Sequence, residues 1–376
     1  MTSNNDEMIV TPWKVSGKID YDKLIAQFGT QPLTEEILQK IKKYSGKLHF
    51  LLRRKFFFCH RDLDKILNKY EDGEKFFLYT GRGPSGPVHL GHILPWIFTK
   101  HLQDVFGAKL YFQMTDDEKF LIRQGFTLKK ALNFTYENSL DLIALGFKKE
   151  KTKIISDVKN IKNLYEIAIK VAKHINFSTV KAVFGFEDST NVGLIFFPAL
   201  QAVPAFLETE LTGHKVSCLI PAAIDQDPYW RVTRDVAAKL GYPKPAQIHG
   251  RFLPGLGTGG KMSASEPETC IFTIDPPKVA SKKIYNAFTG GKPTANEQKK
   301  LGGKPDICTI YKYKVSFFDD DDDKVVKLWQ DCKAGNIICG NCKEELAGLV
   351  NKFLMKHQEK REKAKEIVDD YFLKSV

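Results

Sequence analysis

Apolar residues along this chain fall into two alternating patterns. Short, nearly unbroken runs, Phe76-Phe77-Leu78-Tyr79 and Leu110-Tyr111-Phe112-Gln113-Met114, read as buried strands. Between them the cluster Gly81-Arg82-Gly83-Pro84-Ser85-Gly86-Pro87 marks a loop, and a helical period over 91–105 follows it. Further apolar runs at Ile154-Ile155 and Cys218-Leu219-Ile220 alternate with helical patterns at 129–145, 161–174 and 228–240. Strand, loop, helix and strand in that order predict an α/β class with a parallel, Rossmann-like sheet. Upstream, the spacing predicts helices over 34–44, opening on Thr34-Glu35-Glu36-Ile37, and over 62–70. After about Asp275 the strand signal stops, and from there the chain reads as helical. No internal repeat is evident.

At 376 residues the chain exceeds what one core covers, so two or three domains are expected. The pattern divides it into an N-terminal extension over 1–73, a Rossmann-like domain over 74–274, expected to be completed by 364–376, and a helical domain over 275–363. Lys and Arg outnumber Asp and Glu by 57 to 45, and the resulting +12 favours a polyanionic partner or simple solubility. The segment 276–315 concentrates that charge, with nine lysines against two acidic residues. No apolar run reaches the length of a membrane-spanning helix, and 1–10 lacks the basic-then-apolar order of a secretion signal. Seven cysteines without regular spacing suit a reducing compartment, so a cytoplasmic location is expected.

Two strings carry the chemistry. His89-Leu90-Gly91-His92 follows the Gly-rich loop and opens a helix, where free N–H groups and the helix dipole favour an anion. Two imidazoles one turn apart can donate to a phosphoryl oxygen as its charge grows. Gly91 leaves room for a nucleoside to approach. Lys261-Met262-Ser263-Ala264-Ser265 lies about 170 residues later. The glycines before it, Gly255, Gly257 and Gly260, mimic a dinucleotide fingerprint, and with Lys261 nearly a P-loop. Neither holds: Met262 replaces the required hydroxyl residue, and no apolar helix follows. A flexible flap whose lysine swings onto departing pyrophosphate fits better.

These strings resemble the HIGH and KMSKS signatures of the class I aminoacyl-tRNA synthetases. Phe184-Gly185-Phe186, Phe196-Phe197-Pro198-Ala199-Leu200-Gln201-Ala202, Gln113-Met114-Thr115-Asp116-Asp117-Glu118-Lys119 and Ala223-Ile224-Asp225-Gln226-Asp227-Pro228-Tyr229 look like the eukaryotic-type cytoplasmic tryptophanyl branch, over roughly 10–372. The resemblance implies a tryptophan–tRNA ligase that forms tryptophanyl-adenylate from ATP and transfers tryptophan to tRNA(Trp). His89, His92, Lys261, Ser263 and Ser265 would be catalytic, and Arg82, Gly83, Gly91, Asp225, Gln226 and Met262 would hold ATP. Tyr79 and Gln113 would bond the indole N–H, a group that only donates. Glu118 and Gln201 would hold the ammonium, with Gln226 on the carboxylate. Lys292 would contact tRNA, Mg2+ would arrive with ATP, and two copies would form a homodimer. Tyrosyl relatives carry an Asp two residues beyond the shared Gln201-Ala202, where Pro204 stands here, which disfavours tyrosine.

Cys339-Gly340-Asn341-Cys342, with Cys332 upstream, lacks a fourth ligand at suitable spacing, so these read as incidental thiols and no metal site is expected. Asp319–Asp323 reads as a solvated loop or helix cap rather than a calcium site. Two other classes compete. One is an adenylyltransferase of a different kind using the same histidine and lysine chemistry, usually on a shorter chain. The other is a non-catalytic RNA-binding or signalling derivative, against which the intact motifs argue.

Overall fold

The computed structural model describes residues 8–11, 15–17, 19–258, 260, 262 and 266–374. A two-stranded ribbon, β1 (Ile9–Val10) with β2 (Val15–Ser16), precedes the main sheet. That sheet has seven strands: β3 (Gln31–Pro32), β4 (Phe57–Arg61), β5 (Phe76–Arg82), β6 (Leu110–Met114), β7 (Thr152–Ser156), β8 (Ser217–Ala223) and β9 (Ala246–Gly250), in the order β3-β4-β9-β8-β5-β6-β7. The five strands from β9 to β7 are parallel, with Tyr79 beside Tyr111, Leu78 beside Leu219 and Gln113 beside Ile155. β4 and β3 extend the sheet antiparallel, so the N-terminal segment is continuous with it. At the other edge the chain returns, and Ile154 exchanges backbone hydrogen bonds with Tyr371 and Leu373, both at 2.8 Å.

Strand order reverses at β5: β6 and β7 build to one side of it, and β8 and β9 to the other. Open α/β sheets bind ligands at the carboxyl ends of their strands beside such a reversal. Here those ends carry Arg82, Met114, Ser156 and Ala223. β5 runs two residues into the stretch whose glycines and prolines predict a loop. Gly81 and Arg82 pair with Gln113 and Met114, and a Cβ at Gly81 would lie 2.5 Å from the Gln113 carbonyl. Glycine is needed there for close approach of the two strands rather than for a turn.

Helices cover both faces, and two large apolar clusters lie on either side of the sheet. The long helix Cys339–Ala364 packs on Pro277–Tyr285 and on Leu128–Ala144. Its buried end is tied down by Asp141, which meets His357 Nε2 at 2.8 Å and the Arg361 guanidinium, while Arg361 also reaches Glu137 at 2.8 Å. The acidic run has a structural use. Asp321 caps the helix Asp322–Ala334, and Asp322 pairs with Arg53 at 2.6 Å and Arg54 at 2.7 Å. Among the described residues no single helix is long and apolar enough to cross a membrane.

Candidate active site

The helix Leu90–Phe106 starts as its sequence predicts, with His89 in extended backbone at the N-cap. The His89 N–H donates to His92 Nδ1 at 3.3 Å, and the two rings lie 3.5 Å apart between centroids. One helical turn therefore puts the imidazoles in contact, tilted by 30°, at the helix N-terminus, where an anion is favoured. His89 is buried and His92 half-buried.

The second string is brought against the first by backbone pairing. Val88 accepts from the Thr273 N–H at 2.9 Å, and Leu90 donates to Ile271 at 3.0 Å, joining the segment after the flap to the histidine turn. Met262 is buried, its N–H bonded to the Leu253 carbonyl at 3.2 Å. A Cβ at Gly91 would sit 3.1 Å from the His89 ring and 3.5 Å from the Met262 Cβ. Gly91 is thus the point where the two strings touch. Lys261, Ser263 and Ser265 lie outside the described residues.

Arg82, at the end of β5, is buried and donates to the carbonyls of Gly86 (2.9 Å) and Pro87 (3.0 Å), shaping the loop. Burial lowers its pKa, yet a guanidinium remains charged at neutral pH. Its Nε and Nη1 find no protein partner, which leaves two charged donors beside the loop. Gly83 lies under the Lys119 side chain, so a Cβ there would collide with it. Sequence reasoning passed over Lys119, which pairs with Glu118 at 2.8 Å and adds a cation at this loop.

A second group of polar side chains sits at the neighbouring strand ends. Tyr79 is fully buried; its hydroxyl accepts from Gln201 Nε2 at 3.0 Å and faces two acceptors, Gln113 Oε1 and the Gln201 carbonyl at 2.8 Å. Gln113 Nε2 donates to both oxygens of Asp157, at 2.8 and 3.0 Å. With its nitrogen on the two carboxyl oxygens, the amide turns its oxygen to Tyr79 as an acceptor. Asp157 is a positioning residue that sequence reasoning missed, because it is a single acid just past β7 with no motif around it. Burial pushes Asp157 well above the usual carboxylate range and the Asp117 charge adds to this, while burial raises Asp117 to about 6. Asp116 is also raised by burial, against hydrogen bonds from Ser156, the Val158 N–H and Thr135.

Aromatic rings wall this group. Trp230 meets Tyr79 edge-on at 5.2 Å, and Tyr229 packs on Phe184 at 4.6 Å and Phe197 at 5.8 Å. Glu118 accepts from Thr115 Oγ1 at 2.9 Å, one turn along from β6. Asp225, buried, and Gln226 form the short turn between β8 and the helix Asp227–Lys239. Asp227 holds the N-terminal strand to the sheet through Arg61, at 2.8 and 3.0 Å. Lys292 lies elsewhere, in the C-terminal region, where its N–H donates to Gln298 Oε1 at 3.0 Å. The arrangement therefore sets an imidazole-lined, cationic helix N-terminus near a buried polar group that lies among aromatic rings and holds an oriented acceptor.

Comparison with known proteins gives this geometry a family. Residues 71–355 match the family described as tRNA synthetases class I (W and Y). The chain is 54% identical over 371 residues to a tryptophan–tRNA ligase of Pyrobaculum calidifontis, covering 99% of each chain. It is 52% identical to the same enzyme of Pyrobaculum aerophilum, covering 98% of each. The crystal structure of Plasmodium falciparum tryptophanyl-tRNA synthetase superposes with a TM-score of 0.89 at 36% identity, covering 94% of this chain and 98% of that one. The eukaryotic branch is thus not singled out, since these two sequence relatives are archaeal. By the matched model and the full-length identity, the chain belongs to the class I tRNA synthetases of the tryptophan and tyrosine group.

Proposed function

We propose that this chain is a tryptophan–tRNA ligase. The tryptophan carboxylate attacks the α-phosphorus of ATP, forming tryptophanyl-adenylate and releasing pyrophosphate; the terminal hydroxyl of tRNA(Trp) then takes the acyl group and AMP leaves. The observation that carries the substrate is the Gln113 amide, held by Asp157 so that its oxygen meets the Tyr79 hydroxyl beside the Trp230 ring. A buried indole N–H needs an acceptor, and a site built around that bond rejects analogues lacking it.

No side-chain nucleophile is needed, so positioning and charge do the work. His89 and His92 stabilise the charge growing on the phosphates, Arg82 and Lys119 add cations at the loop, and Lys261 with Ser263 and Ser265 follows pyrophosphate out. Glu118 and Gln201 take the ammonium; Asp225 and Gln226 line the nucleotide side. Mg2+ enters bound to ATP and keeps its waters. Lys292 and the lysine-rich segment 276–315 around it, which opens the anticodon-binding domain, meet tRNA, across a homodimer in the cytoplasm.

Charging of unfractionated tRNA tests this reading. Labelled tryptophan should become esterified to the tRNA bearing the tryptophan anticodon. Esterification of tyrosine in its place, or of neither, would refute the reading.

A further inference from the structure

A small cavity lies in the C-terminal helical region, lined by residues between Thr289 and Cys342 and away from the strand ends that carry the adenylation chemistry. Four of the seven cysteines line it: Cys308, Cys332, Cys339 and Cys342. They arrive from three places. Cys308 precedes the helix Thr309–Tyr313, Cys332 ends the helix Asp322–Ala334, and Cys339 and Cys342 lie in the first turn of Cys339–Ala364. Cys308 is the fourth thiol that sequence spacing did not reveal, because a whole helix separates it from Cys332. The other three, Cys59, Cys218 and Cys270, are buried elsewhere.

Of the four lining the cavity, Cys308 is buried and the other three are half-buried, and thiols so placed are by themselves ordinary packing residues. What surrounds these is not ordinary core. Gln298 lines the cavity at 2% exposure, and its Nε2 has no hydrogen-bond partner. A buried amide donor without a partner is costly, and it points to a site built to take an acceptor. Lys314, buried at 3% exposure and paired with Glu345 at 2.6 Å, lines the same space. Two glycines clear room for sulfur: a Cβ at Gly303 would stand 2.9 Å from Cys332 Sγ, and one at Gly291 would collide with Cys339 Sγ. Neutral thiols are weak acceptors, whereas metal-bound thiolate and sulfide accept well, so a buried amide donor and an ammonium suit sulfur that carries negative charge.

We propose that these four cysteines bind an iron–sulfur cluster of the four-iron type. Among the described residues no three thiol, imidazole or carboxylate groups stand close enough to share a single metal ion. A tetrahedral zinc with sulfur at about 2.3 Å would need the four sulfurs drawn tightly together. A cluster reaches sulfurs spread around a wider space, and four cysteines are its ordinary donor set. Each thiol gives its proton to solvent as it ligates iron, and Lys314 with the Gln298 N–H offsets the net negative charge that results. Gln298 also carries the consequence, since its Oε1 accepts from the Lys292 N–H at 3.0 Å. The cluster therefore fixes the Gly291-Lys292 turn. This last step rests on the proposed tRNA contact of Lys292.

The test is reconstitution of the full chain with ferrous iron and sulfide without oxygen. About four iron and about four acid-labile sulfide per chain should be retained, with an electron paramagnetic resonance signal after reduction by dithionite. Cys332→Ser and Cys339→Ser should retain far less, and Cys59→Ser the full amount. If the serine variants do not fold, the wild-type iron and sulfide count and resonance decide alone. No retained iron, stoichiometric zinc in its place, or full iron in Cys339→Ser would overturn the cluster. Removing iron should leave ATP–pyrophosphate exchange unchanged and raise KM for tRNA several-fold. An unchanged KM beside a full iron count would remove the tRNA link and leave the cluster standing.

Discussion

Gln113→Met separates recognition of the indole from the integrity of the pocket. Methionine has nearly the length of glutamine and no strong acceptor. The Tyr79 hydroxyl keeps its donor, Gln201 Nε2 at 3.0 Å, and turns its proton to the Gln201 carbonyl, already 2.8 Å away. Asp157 loses the amide that meets it at 2.8 and 3.0 Å, but burial already drives it toward the neutral form. The fold should therefore lose only about 1–2 kcal/mol. Bound tryptophan, in contrast, leaves its N–H without the Gln113 oxygen, at about 1–3 kcal/mol. At 1.4 kcal/mol per tenfold this lowers kcat/KM for tryptophan by about 5- to 150-fold. An analogue with sulfur in place of the indole N–H has no such bond to lose, and its kcat/KM should stay within about threefold. ATP–pyrophosphate exchange with both substrates, beside thermal unfolding, reads each part. Equal losses for tryptophan and the analogue would refute the reasoning.

Three further outcomes follow from the geometry. Gly91→Ala puts a methyl 3.1 Å from the His89 ring and should slow adenylate formation about tenfold or more with little change in Tm; unchanged pre-steady-state kinetics would contradict the contact. Arg361→Ala strands the buried Asp141 with His357 alone and should cost about 3–5 kcal/mol in urea unfolding; a loss below about 1 kcal/mol would count against the network. His49, desolvated by burial and beside His101, titrates at about 3 rather than 6.5. Below pH 6.5 the unfolded chain takes up a proton that the folded chain refuses. The His49 contribution is thus whole above that pH and lost as pH falls towards 3, by up to about 1.4 kcal/mol per unit. Urea midpoints of His49→Gln should fall less steeply over this range, and an identical slope would exclude the residue as the cause.

The parallel strands β5 and β6 were legible because both faces are covered, which makes their apolar runs nearly unbroken. Helices over 128–144, 161–172 and 227–239 matched their predicted patterns to within about two residues. β9 was hidden because Gln247 and His249, both fully buried, interrupt its apolar alternation. β4 was hidden for a related reason: Cys59 and His60 are buried, and Arg61 reaches across to Asp227. In the site, the histidines and Gln113 stood out because each belongs to a local string. Asp157 and Cys308 did not, since each gains its meaning only from residues brought to it by the fold.

The choice of amino acid rests on the Tyr79–Gln113 pair. ATP–pyrophosphate exchange with each standard amino acid in turn measures it directly. Rapid exchange with tryptophan, and at most a trace with tyrosine and phenylalanine, is the predicted result. Exchange driven by tyrosine and not by tryptophan, or exchange with none, would contradict it.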